Sequence, residues 1–129
     1  MLVDDHQLVI IGLRTILGAV SQFQVVGEAG SAAAAVTEAR LCHPDVVLMD
    51  FELPDGSGVE ACQRIRTEDP SVRVLMLSAH EDQEAVVGAI RAGAAGYILK
   101  QNGPDQVVAA VRVVVAGGST KIASPRVTE

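Results

Sequence analysis

Val46-Val47-Leu48-Met49-Asp50-Phe51-Glu52-Leu53-Pro54-Asp55-Gly56-Ser57-Gly58 is the stretch from which the rest of this 129-residue chain can be read. Its first four residues are apolar without a break, the pattern of a strand covered on both faces. The run closes on a carboxylate, Asp50, and Asp55-Gly56-Ser57-Gly58 then supplies turn chemistry leading into a helix. An unpaired carboxylate at the end of a buried strand costs free energy, so Asp50 is hard to explain as a purely structural residue.

Outward from this segment the same grammar repeats. Short apolar runs occupy residues 2–3, 24–29, 46–49, 72–77 and 97–99, separated by longer stretches of helical periodicity. Val107, Val108, Val111, Val114 and Val115 fall on one face of a helix whose start is marked by Gly103-Pro104. Ser31 is the expected N-cap of an alanine-rich helix ending near His43-Pro44, and the helix after Gly58 ends before Asp69-Pro70. A strand–helix unit repeated five times predicts a parallel sheet with helices on both faces. The first strand is short, and after Gly117-Gly118 the chain turns polar and reads as a linker.

Composition narrows the function classes. A chain of this length is one domain, and 49% hydrophobic with 20% charged residues is ordinary globular usage. The net charge of −6, without any lysine- or arginine-rich block, argues against direct binding of nucleic acid. With 2% aromatic residues, base stacking is excluded and the core must be aliphatic. No apolar stretch is long enough to span a membrane, the N-terminus does not read as a signal peptide, and the expectation is a cytoplasmic protein. Cys42 and Cys62 cannot build a disulfide framework or a four-ligand zinc site, and are expected as reduced thiols packed in helices.

Four of the five runs lead into a residue equipped for chemistry: Asp4-Asp5, Asp50, Ser78 and Lys100. In an open parallel sheet ligands bind beyond the carboxyl ends of the strands, so these residues are predicted to converge at one rim. Three carboxylates gathered there repel one another, which a divalent cation or raised pKa values would resolve, and with oxygen donors only Mg²⁺ is the natural ion. An Asp beside Mg²⁺ and a Lys can attack a phosphoryl group, and a serine hydroxyl can bind one of its oxygens.

The motifs Leu-Val-Asp-Asp-His, Val-Leu-Met-Asp-Phe-Glu-Leu-Pro-Asp-Gly-Ser-Gly, Leu-Ser-Ala-His and Gly-Ala-Ala-Gly-Tyr-Ile-Leu-Lys together resemble those of a two-component response regulator receiver domain. The opening and closing motifs are most similar to the NarL/FixJ group, whose members commonly carry a LuxR-type helix-turn-helix output. The resemblance implies a flavodoxin-like (CheY-like) doubly wound fold of α/β class, with five parallel strands in the order 2-1-3-4-5. It implies a receiver over residues 1–118, and over 119–129 the start of a linker to an output domain outside this chain.

By the same resemblance Asp50 accepts a phosphoryl group from a sensor histidine kinase. Asp5 binds Mg²⁺ directly, Asp4 assists, and Glu52 offers its backbone carbonyl to the metal. Ser78 matches the switch hydroxyl, Lys100 the phosphate-pairing lysine, and Tyr97 the aromatic that swings inward on activation. Pro54 and Gly58 match positions that shape the loop after the phosphoacceptor. Glu52 and His80 stand where the family tunes the lifetime of the phosphoryl group. A homodimer on activation, transcription regulation, and DNA contact only through the output domain are further implications. The chain would not be an enzyme beyond its own phosphoryl transfer and slow autodephosphorylation.

Other readings are a receiver acting by protein contact alone and an aspartyl-nucleophile phosphatase. Against the latter, Phe51-Glu52 follows Asp50 in place of the Asp-x-Asp signature; too few aromatics exist to sandwich a flavin in a flavodoxin-like cofactor binder, and the missing phosphate-binding loop disfavours nucleotide hydrolysis. The first helix departs from the family by carrying Ile10 and Ile11 where polar residues are usual, so one of the pair is expected at the surface, in a subunit contact or as local core variation. Gly88 interrupts the fourth helix, either as a close-packing glycine or as a softener of an element that remodels. His6 and His43 are read as a loop residue and a helix end, and neither is expected to bind metal, since no His/Cys pair has ligand spacing.

Overall fold

The computed structural model describes residues 1–79 and 82–116. In chain order the elements are β1 (Leu2–Val3), α1 (Gln7–Gly18), β2 (Glu28–Ala29), α2 (Ala32–Cys42), β3 (Val46–Asp50), β4 (Glu52–Leu53), β5 (Gly56–Ser57), α3 (Gly58–Glu68), β6 (Arg73–Ser78), α4 (Gln83–Arg91), β7 (Gly96–Leu99), a 3₁₀ turn (Lys100–Asn102) and α5 (Pro104–Val115). Five parallel strands form the sheet as expected. Counted along the chain its order is β2-β1-β3-β6-β7 rather than the expected 2-1-3-4-5. The difference arises because β4 and β5 make a separate two-stranded antiparallel ladder just after Asp50. Two-residue strands carry no periodicity, so in the sequence this ladder reads as a turn.

The edge strand β2 is also shorter than the apolar run 24–29 suggests. Its partner β1 has only two residues, so the ladder stops at Leu2–Glu28 and Val3–Ala29. Gly27 and Ala29 carbonyls still accept hydrogen bonds from the amides of Leu2 and Asp4.

Alternation along each strand divides the core in two, as a period of two residues requires. Val47, Met49, Val74, Met76, Tyr97 and Leu99 face a layer formed by α2, α3 and α4. Leu48, Leu75, Leu77 and Ile98 face the opposite layer, α1 and α5. Each fully buried aliphatic side chain contributes about 1.5–3 kcal/mol, which is how a chain this poor in aromatics holds together.

The helix boundaries follow local chemistry. Ser31 caps α2, its hydroxyl accepting from the Ala34 amide, and the helix ends at His43 in the left-handed region (φ 47°) before Pro44. Ser57 and Glu60 form a reciprocal capping box at the start of α3. Pro104 opens α5. Of the two apolar residues on α1, Ile10 is buried and Ile11 is 55% exposed. Gly88 has open space around it, which removes the close-packing explanation. Cys42 and Cys62 are free thiols in α2 and α3; burial pushes the Cys62 thiol up to about 11. No helix among the described residues is long and apolar enough to cross a membrane. The expected linker, 119–129, lies outside the described residues.

Candidate functional site

Parallel strands in register bring their carboxyl ends to one rim. Asp50 is the last residue of β3, paired with Leu77; Ser78 ends β6, paired with Leu99; Lys100 follows at once. Asp4 leaves β1 beside them. Although spread over most of the sequence, these residues therefore meet, as expected. Asp4 and Asp50 are each 4% exposed and Ser78 is 2% exposed. The Lys100 ammonium reaches between the two buried carboxylates, with Nζ 3.0 Å from Asp4 Oδ2 and 3.4 Å from Asp50 Oδ2. Asp5 is exposed at the lip of the same pocket.

The three groups answer one another electrostatically. Burial raises the Asp50 carboxyl above its ordinary range, the Asp4 charge adds to this, and Lys100 only partly offsets it. Burial also works to raise Asp4, but the His6 amide and Lys100 together hold it below the usual range. Burial works to lower Lys100, and hydrogen bonding and charge from Asp4 and Asp50 outweigh it, so the ammonium is kept. The outcome is one firmly anionic carboxylate, one carboxyl whose charge the surroundings resist, and a fixed cation between them.

The segment after Asp50 is held tightly. The Phe51 amide donates to the Leu77 carbonyl at 2.8 Å, and the Glu52 amide donates to Asp50 Oδ1 at 3.3 Å. The Gly58 amide donates to the Phe51 carbonyl at 2.9 Å. A Cβ on Gly58 would stand 2.1 Å from the Asp50 carbonyl oxygen, so only glycine lets α3 start this close to the end of β3. Pro54 is exposed in the turn between β4 and β5. The neighbouring Asp55 accepts from the amides of Ala32 (2.7 Å) and Ala33 (3.0 Å), tying this turn to the start of α2. In the sequence Asp55 reads only as a turn residue, because such a tether joins segments far apart in the chain.

Tyr97 is turned inward and 1% exposed, with its ring edge-on to Phe51 at 6.2 Å between centroids. Burial raises its phenol, while hydrogen bonding to Ser78 pulls the other way. His80 lies outside the described residues.

His6 is a loop residue just before α1, as expected, and its ring faces the acid pair. Its amide donates to Asp4 Oδ1 at 2.9 Å, and its Nδ1 lies 3.0 Å from Asp4 Oδ1 and 3.1 Å from Asp5 Oδ1. Asp4, Asp5, His6 and Asp50 each place one potential ligand atom within 4.8 Å of the others. Carboxylate oxygens in this number and spacing fit a hard divalent cation. The available signal was position, since His6 directly follows the acid pair.

The doubly wound α/β domain thus carries at its strand ends an acidic pocket with two buried aspartates bridged by a lysine. The chain belongs to the response regulator receiver domain family, whose profile matches residues 1–112. It is 43% identical over 118 residues to the DNA-binding transcriptional activator DevR/DosR of Mycobacterium tuberculosis, spanning 92% of this chain and 54% of that protein. To the response regulator UvrY of Escherichia coli K12 it is 41% identical over 117 residues, 91% of this chain and 54% of the relative. A crystal structure of a LuxR-family two-component response regulator from Aurantimonas sp. SI85-9A1 superposes with a TM-score of 0.89 at 37% identity, covering 93% of this chain and 86% of that one. The chain thus spans about half the length of these curated relatives. It is a response regulator receiver domain, and its relatives include a DNA-binding transcriptional activator and a response regulator.

Proposed function

We propose that Asp50 is the phosphoacceptor of this receiver and that residues 1–118 form the switch unit of a longer regulator. An Asp50 carboxylate oxygen forms the new bond to phosphorus as the bond to the histidine nitrogen of a sensor kinase breaks. Asp4, Asp5, Asp50 and the Glu52 carbonyl would hold Mg²⁺, which supplies charge neutralisation on the transferring group. Lys100 pairs with a phosphoryl oxygen, and Ser78 hydrogen-bonds another. Slow hydrolysis of the acyl phosphate ends the signal, so the protein turns over no external substrate. The observation that carries this reading is the Lys100 ammonium held between buried Asp4 and Asp50.

Once phosphorylated, the site draws on Ser78 and keeps Tyr97 inward, and the surface of α4, β7 and α5 changes with them. We take that surface to govern homodimerisation and an attached LuxR-type DNA-binding domain after a linker beginning near residue 119, acting in the cytoplasm. The names of the relatives support transcriptional output. The test is incubation with Mg²⁺ and a small acyl phosphate followed by intact mass. Wild type is expected to gain one phosphoryl group and Asp50→Asn none; an adduct on both, or on neither, overturns the assignment.

A further inference from the structure

His6 stands at the N-terminal boundary of α1 in extended conformation (φ −98°, ψ 112°), and its side chain makes no helix-capping bond. The ring is turned instead to the acid pair. Around an ion with bonds of about 2.1 Å, neighbouring octahedral ligands lie about 3.0 Å apart and opposite ones about 4.2 Å apart. Nδ1 is hydrogen-bonded to Asp4 Oδ1 at 3.0 Å and lies 3.1 Å from Asp5 Oδ1, separations that adjacent ligands of one ion would also have. The ring is two-thirds exposed, so an ion can enter from solvent without the fold opening. Lys100 engages the other oxygen of Asp4, Oδ2, leaving the His6 side of the pocket free of competing ammonium.

We propose that His6 is a nitrogen ligand of the divalent cation in this pocket, and that it raises the pocket's preference for first-row transition metals over Mg²⁺. The proposal rests on the acidic pocket being the cation site. Mg²⁺ takes oxygen donors and gains little from an imidazole; Co²⁺, Ni²⁺ and Zn²⁺ bind nitrogen well. Because the Asp4 carboxylate can only accept, Nδ1 carries a proton in this contact; the ion displaces that proton to solvent and leaves the imidazole protonated on Nε2. An all-oxygen receiver pocket would lack this selectivity, so the residue after the acid pair becomes a determinant of which ion the switch uses.

Calorimetric titration of the chain with Co²⁺ and separately with Mg²⁺ tests this in wild type, His6→Ala, Asp5→Asn and His43→Ala. His6→Ala is expected to weaken Co²⁺ binding about ten-fold or more while Mg²⁺ binding stays within about two-fold. Proton spectra of the Co²⁺ form should show a hyperfine-shifted imidazole N–H resonance that His6→Ala lacks and His43→Ala keeps. Unchanged Co²⁺ affinity in His6→Ala, with Asp5→Asn weakening both ions, overturns the role of His6 and leaves the acidic pocket standing. Affinities for both ions that Asp5→Asn leaves untouched overturn the pocket itself, and the proposal with it.

Discussion

Burial and the Asp4 charge raise the Asp50 carboxyl, so the fold favours its neutral form. A carboxyl raised in this way contributes stability below its unfolded value, roughly pH 4, and that contribution is lost as pH rises through the folded value. At neutral pH the ionised Asp50 is a cost retained for chemistry. Asp50→Asn is therefore expected to melt a few degrees higher than wild type at pH 7 without divalent cations, the advantage shrinking toward pH 4; thermal melts across that range check it. Asp4 behaves oppositely. Its lowered carboxyl stabilises the protein above roughly pH 4, and this is lost as pH falls through the folded value. Lys100→Met removes the cation between them and should destabilise the neutral-pH protein, with less effect once both carboxyls are protonated. Asp4, Asp50, Ser78 and Lys100 are legible in the sequence because each closes an apolar run. His6 and Asp55 are not, because their significance lies in contacts that no periodicity encodes.

At the scale of elements, one substitution has opposite outcomes at two glycines. Gly88 lies mid-helix in α4, and a methyl group added there would meet nothing within 4 Å. Gly88→Ala is expected to stabilise the protein by about 0.5–1 kcal/mol and to increase hydrogen-exchange protection of α4 amides, stiffening an element the proposed switch must remodel. Equal protection in the two proteins would contradict this. Gly58→Ala sets a methyl against the Asp50 carbonyl oxygen and is expected to cost about 2 kcal/mol or more by urea denaturation. On α1, Ile10 is core, so charge there would unfold the chain before reporting on assembly. Ile11 is the residue with which to test a subunit contact, and Ile11→Arg should leave stability unchanged; a shift in sedimentation would reveal such a contact. The five sheet strands and five helices follow from runs, caps and prolines. The β4–β5 ladder and the short β2 do not, since the partner strand sets their lengths.

For the whole molecule, the sheet separates two aliphatic half-cores that share no helix. Ile65 on α3 and Leu13 on α1 lie on opposite sides. Ile65→Val should cost about 0.5–1.5 kcal/mol and Leu13→Ala about 2–5 kcal/mol. Their effects should sum within about 0.5 kcal/mol in the double variant, as measured by urea denaturation. The sheet thereby carries the rim between two separately packed half-cores.

Tyr97 gives this arrangement an optical consequence. The chain has one tyrosine and no tryptophan, so its near-ultraviolet absorbance and emission above the phenylalanine band come from a single ring. That ring packs edge-on against Phe51 and shares a hydrogen bond with Ser78 at the end of β6. Its phenolate band should emerge at higher pH than that of free tyrosine, because burial raises the phenol. Every change in its polarisation, quenching or ionisation is a reading of one side chain, so the domain carries an intrinsic single-site chromophore beside the proposed acceptor site.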